Sequence, residues 1–155
     1  MEPKVDKILV PIDFSENSKN AIKYAVAYAE KFSAEIIFVY VIEPVIYPSD
    51  FGLGQVPINR MDLEIHSKAE EELKKLIDTH LPKNIKGTHC VRTGKPFLEI
   101  INCAKENKCD LVIMSTHGHS GIEHILFGST AEKVVRKSPI PVLTIRDSNT
   151  KFILP

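Results

Sequence analysis

Apolar positions along this chain fall into two alternating patterns, short continuous runs and stripes that recur every three to four residues. Lys7 to Ile12 is a run of strand type, and Pro11 to Asn17 supplies a loop in which Ser15 or Asn17 is available as a helix N-cap. Beyond it Ala21, Ile22, Ala25, Val26, Ala29 and Phe32 share one face at helical spacing, while Lys19, Lys23, Glu30 and Lys31 lie outside it. That spacing predicts a helix packed on one side. Ile36 to Ile42 is continuously apolar, as expected of a strand covered on both faces. A charged helix is predicted from about Met61 to His80, with Ile65, Ala69, Leu73, Leu76 and Ile77 as its buried stripe. A strand near Ile85 to Arg92 follows, and Thr93 to Pro96 turns the chain into a third helix. Pro96 suits its first turn, and Phe97, Ile100, Ile101 and Ala104 face inward. Leu111 to Met114 is a fourth strand, and Val142 to Ile145, after Pro139 and Pro141 end the last helix, is a fifth.

Strands alternating with helices in this way specify a doubly wound α/β fold, a five-stranded parallel sheet with helices on both faces. Ligands of such folds bind outside the carboxyl ends of the strands, where the strand order reverses. The 155 residues suit a single domain, 1–155, with a loop insertion at about 43–60 and a C-terminal tail at about 147–155. The insertion carries Pro44, Pro48, Gly52, Gly54 and Pro57 among large apolar groups, and is read either as a nucleotide-dependent lid or as a disordered insertion.

Composition narrows the function classes. With 20 basic and 20 acidic side chains the net charge is zero, and only four of the basic residues are Arg. No strong field draws such a protein to nucleic acid or to a membrane, so a phosphorylated ligand must be held locally. The opening Met-Glu-Pro-Lys-Val-Asp has no basic segment followed by an apolar one, and no apolar run approaches a membrane span, so a cytoplasmic location is expected. Cys90, Cys103 and Cys109 form no Cys-x-x-Cys pair and read as reduced, structural thiols.

The candidate chemistry is concentrated between Leu111 and Ser129. There a buried strand runs into a loop with small residues, and the loop ends at a helix start marked by Gly128 and Ser129. Amides at a helix N-terminus lack intrahelical partners and lie at the positive end of the helix dipole, so they attract anions without a basic side chain. Nine residues lie between Gly118 and Gly128 and no Lys follows Gly128, unlike a Walker P-loop. Ser129-Thr130-Ala131-Glu132 fits a capping box, with Ser129 accepting an early amide and Glu132 reaching back. His117, His119 and His124 raise a zinc hypothesis, but no Cys or carboxylate stands beside them at a familiar ligand spacing. They read as loop histidines, one of them near phosphate, and no metal site is assigned.

Lys7-Ile-Leu-Val-Pro-Ile-Asp13-Phe-Ser15, Thr93-Gly-Lys-Pro96, Asp110-Leu-Val-Ile-Met114 and the Gly128-Ser129 pair together resemble the pattern of the universal stress proteins, over nearly the whole chain. The resemblance implies the strand order 3-2-1-4-5, a homodimer, and the ATP site of one branch of that family. That site is built on Gly, two residues, Gly, nine residues, Gly and Ser or Thr. Here Ser115 stands at the first glycine, ahead of Gly118, Gly128 and Ser129. Its Cβ and hydroxyl either crowd the nucleotide or donate a hydrogen bond to it.

Carried over by position, Pro11 shapes the adenine side, Asp13 holds the ribose or a magnesium-bound water, and Val41 reads adenine through its backbone. Met114 and Ser115 line the floor, Gly118 and His119 approach the phosphates from one side, and Gly128, Ser129 and Thr130 from the other. For Asp13 the alternative is a helix-capping carboxylate, and for Val41 and Met114 it is core packing. The implied ligand is ATP or AMP, with or without magnesium. No arginine is placed to stabilise phosphoryl transfer, so binding without efficient turnover is expected, against a nucleotide-free scaffold or a weak hydrolase. Strand order 3-2-1-4-5 leaves 142–146 at an open edge, where pairing with a second copy would form the dimer.

Overall fold

The computed structural model describes residues 4–44, 58–118 and 127–146. Nine elements follow in order: β1 (Lys7–Pro11), α1 (Glu16–Phe32), β2 (Glu35–Ile42), α2 (Ile58–His80), β3 (Gly87–Thr93), α3 (Pro96–Glu106), β4 (Leu111–Ser115), α4 (Ser129–Lys137) and β5 (Val142–Ile145). The strands form one parallel sheet in the order β3-β2-β1-β4-β5. The chain winds outward from β1 through β2 to β3, then crosses back to β4 and out to β5. With every crossover of the same hand, that reversal puts the two pairs of helices on opposite faces.

The core has two layers. Ile8, Val10, Ile36 and Phe38 pack against Ala21, Ile22, Ala25 and Ala29 of α1 and Leu73 and Leu76 of α2. Leu9, Ile37, Val39, Val112 and Met114 pack the other way, against Ile100, Cys103 and Ala104 of α3 and Ala131 and Val134 of α4. The alternation of Ile8, Leu9 and Val10 between layers explains why β1 reads as a continuous apolar run: both of its faces are covered. Asp110 fixes the register at the far end, its Oδ2 accepting from the amides of Asp6 (2.8 Å) and Lys7 (3.0 Å).

Several expected boundaries and faces are corrected. β1 ends at Pro11 rather than Ile12, whose amide turns to Val39 O at 2.8 Å. α2 begins at Ile58, ahead of Met61, because the polar residues 59 and 60 offer no break in the helical path. β3 begins at Gly87, since Ile85 closes a turn onto Pro82 O (3.0 Å) and buries its side chain there. β4 extends to Ser115, one residue beyond Met114. Phe32 lies 39% exposed, at the end of an outward line with Tyr24 and Tyr28, and Ile65 is likewise exposed in a part of α2 that overhangs the sheet. The insertion at 45–57 and the tail from 147 lie outside the described residues.

At the amino ends of the strands, Glu35 accepts ion-pair contacts from Lys7 (3.1 Å) and Lys86 (2.9 Å). Hydrogen bonding from Lys86, and then from Lys7, holds its carboxyl below the usual carboxylate range. A depressed folded-state value stabilises the fold above the unfolded value near 4.5, and that gain is lost as pH falls through the folded value. Glu35→Gln should therefore cost about 1 kcal/mol at neutral pH, and that cost should shrink as pH falls through the folded-state value, measured by urea unfolding across the acid range.

Candidate nucleotide site

The turn leaving β1 is built around Asp13. Its Oδ1 accepts from the Ser15 amide (3.0 Å) and from the Ser15 hydroxyl, and Ser15 Oγ in turn accepts from the Ser18 amide at 3.2 Å. Ser15 is thus the N-cap of α1, and Asp13 braces the cap from outside. Between them Phe14 adopts φ 63°, a left-handed conformation rare for a bulky residue. Its ring lies 4.9 Å from that of Tyr40, a contact that holds the strained turn in place. The result is a rigid carboxylate at the carboxyl end of the sheet.

The second turn leaves β4. Ser115 Oγ donates to His117 O at 2.7 Å, so the hydroxyl at the atypical motif position braces its own loop. Thr116, 1% exposed, sits at the junction: its amide donates to Ile145 O (3.0 Å), its Oγ1 bonds His117 Nδ1 (2.9 Å), and its carbonyl accepts from the Gly128 amide (2.7 Å). That last bond fastens the exit of β4 to the start of α4. Space is tight at both glycines. A Cβ on residue 118 would overlap Asp13 Oδ2, and one on residue 128 would stand 3.3 Å from Thr116 O.

The expected capping box is not formed. Gly128 is the N-cap of α4, no side chain caps the helix, and Ser129 occupies the first helical position. The physical reason is the Gly128 to Thr116 bond, which selects extended backbone (φ −65°, ψ 153°) one residue earlier than local sequence suggests. Glu132 pairs instead with Arg136 at 3.1 Å. The first amides of α4 have no partner inside the helix, and Ser129, Thr130 and Ala131, which carry them, line the crevice.

The two turns, with the ends of β1 and β2, enclose a crevice of about 490 Å³. Pro11, Asp13, Val41, Met114, Ser115, Gly118, Gly128, Ser129 and Thr130 all line it, so the described part of the expected constellation is brought together. His119 lies outside the described residues. Ile12, Ser18, Tyr40, Glu43, Pro96, Ile100, Thr116 and His117 also line the crevice, and the sequence alone does not place them there. For Tyr40 and Pro96 the available signal was position, since each lies at the carboxyl end of a strand or the helix start that follows one. A cavity of about 580 Å³ at the opposite end of the sheet is lined by Lys7, Glu35 and Lys86, charges that already satisfy one another.

Asp13 and Glu43 are the acidic groups on the crevice, and no Lys or Arg is among the described residues lining it. Positive potential there comes from backbone amides and the α4 dipole. Among the described residues no helix is long and apolar enough to cross a membrane.

Residues 4–146 match the model of the universal stress protein family. Universal stress protein MJ0577 of Methanocaldococcus jannaschii is 32% identical, over 93% of this chain and 96% of its own. The solved structure of MJ0577 superposes with a TM-score of 0.79 at 28% identity, covering 94% and 98% of the two chains. UspA of Lactobacillus plantarum follows at 0.71 and 25%, covering 94% and 100%. A universal stress protein solved in complex with cAMP shares the fold at 22% identity, with a TM-score of 0.59 and coverage of 92% and 97%. With the doubly wound sheet and strand order matching, the chain belongs to the universal stress protein family.

Proposed function

We propose that this protein is a regulatory homodimer of the cytoplasm that binds an adenine nucleotide, ATP or AMP, in the crevice between the β1 and β4 turns. The observation that carries the reading is the Gly128 to Thr116 bond of 2.7 Å, which aims the amino end of α4 and the 116–118 turn at one space. A volume of about 490 Å³ suits a nucleotide, within the ~300–1,000 Å³ of small-molecule sites. Backbone at Val41 would read adenine beside Pro11, Asp13 would hold the ribose or a metal-bound water, and Met114 and Ser115 would form the floor. Gly118 and His119 would meet the phosphates opposite Gly128, Ser129 and Thr130.

Asp13 and Glu43, with no Lys or Arg among the described residues lining the crevice, repel a bare polyphosphate, so magnesium belongs to the bound form. ATP affinity should fall by about tenfold or more when EDTA replaces magnesium, as read by calorimetry, whereas AMP affinity should change little. That no Lys or Arg is among the described residues lining the crevice favours binding over hydrolysis, because phosphoryl transfer needs charge stabilisation at the transferring group.

The function is tested by mass spectrometry of small molecules released from the purified protein, followed by titration with ATP, AMP and cyclic nucleotides. Saturable binding of one adenine nucleotide per chain supports the reading. Absence of binding up to millimolar concentration favours a nucleotide-free scaffold, and phosphate release that tracks protein concentration and is lost in Asp13→Ala favours a hydrolase.

A further inference from the structure

Cys90 on the edge strand β3 and Cys103 on α3 are thirteen residues apart in sequence, yet their sulfurs stand 2.9 Å apart. Both are free thiols. A disulfide needs ~2.05 Å between sulfurs, so less than about one ångström of approach separates this pair from a bond. Their surroundings differ. Cys103 is fully buried in the layer between the sheet and α3, while Cys90 is half-buried at the sheet edge. Arg92, two residues along the same face of β3, pairs with Glu106 of α3, and its positive charge favours a thiolate at Cys90. Asn107 Nδ2 stands 3.5 Å from Cys103 Sγ and donates to Cys103 O at 2.8 Å, fixing that residue's position from the end of α3.

We propose that Cys90 and Cys103 form an oxidant-responsive dithiol, in which a hydroperoxide converts the two thiols to an intrachain disulfide joining β3 to α3. The roles follow from the surroundings. Hydrogen bonding from Cys103, with a further contribution from Arg92, favours the thiolate at Cys90, whereas its neighbour and burial push Cys103 up. Burial also raises Cys109, to about 11, which leaves it inert. The Cys90 thiolate attacks one oxygen of hydrogen peroxide, and the O–O bond breaks to give a sulfenic acid and hydroxide. That hydroxide takes the Cys103 proton and becomes water. The Cys103 sulfur then attacks the Cys90 sulfur, the S–S bond forms as the S–O bond breaks, and the departing hydroxide takes up the proton that Cys90 had released. Two thiols are oxidised, one peroxide is reduced, and two waters result. The crevice takes no part in this step, so the inference stands or falls independently of nucleotide binding.

The test treats the reduced full chain with a small excess of hydrogen peroxide, then combines thiol titration with tryptic mapping without reductant. Cleavage at Lys86, Arg92 and Lys105 puts the two cysteines on separate peptides, 87–92 and 93–105. Expected are the loss of two of the three thiols and a covalent 87–92 to 93–105 product; Cys109→Ala should lose both of its two thiols and give the same product. Cys103→Ala should stop at a sulfenic acid on Cys90 that dimedone traps, and Cys90→Ser should leave Cys103 reduced. Three thiols remaining after treatment, a cross-link through Cys109 or between chains, or dimedone labelling elsewhere than at Cys90 would overturn the proposal.

Discussion

Gly128→Val should weaken ATP binding by about 100-fold or more while leaving the fold intact. The backbone at 128 has φ −65° and ψ 153°, which a valine adopts without strain. The damage is local and steric. A Cβ there already stands 3.3 Å from Thr116 O and 3.8 Å from His117 Cα, so the γ methyls must enter the gap between the two turns or push them apart. Either way a phosphate held between the start of α4 and the 117–118 turn would lose its place. Losing two hydrogen bonds to a charged phosphate, at about 1.5–3 kcal/mol each, gives the stated magnitude. Gly118→Ala should act by another route, because its methyl would displace the Asp13 carboxylate. Calorimetric titration against ATP, with circular dichroism melting as the fold control, distinguishes lost binding from lost structure; unchanged affinity in both variants contradicts the site.

The second large effect is expected at the sheet edge. β5 has no strand on its outer side among the described residues. Pro141 O and Ile145 O accept from Val112 and Thr116, so alternate residues of β5 turn inward to β4, and Val142 and Thr144 present their amides and carbonyls outward. Leu143 packs on the layer beneath α1, which makes its side chain part of the core and leaves the backbone as what the edge offers a partner. Thr144→Pro removes an outward amide without touching the β4 ladder. In a twofold pairing that loss occurs twice, and with the ring's bulk it should weaken dimerisation by about 100-fold. Sedimentation at micromolar concentration should show dimer for the unaltered chain and monomer for the variant. Monomer for both would remove the dimer from the account.

The sheet was legible because its strands are covered on both faces: runs such as 8–10 and 36–39 have little room for polar residues. The lining of the crevice was legible because its signal is local, two glycines at the ends of one loop and a carboxylate after β1. What escaped was decided by contacts distant in sequence. Ser129 matches a capping box in isolation, but a bond from Gly128 to Thr116, twelve residues away at the exit of β4, moves the cap. Thr116 gives no pattern of its own, and only the fold shows that it ties β4 to β5 and α4 together. Phe32 fits the buried face of α1 by spacing, yet the helix ends there and the ring turns outward to lie 6.0 Å from that of Tyr28. Cys90 and Cys103 read from sequence only as reduced, structural thiols, since nothing in their spacing signals that a strand and the following helix bring them together.

The most direct test of the nucleotide site is a two-dimensional amide NMR titration of the 15N-labelled protein with ATP and magnesium. The account predicts saturable shifts centred on the amides of Gly118, Gly128, Ser129 and Thr130, with smaller changes at Asp13 and Val41. Shifts confined to the opposite cavity around Lys7, Glu35 and Lys86, or none at millimolar ATP, would contradict it.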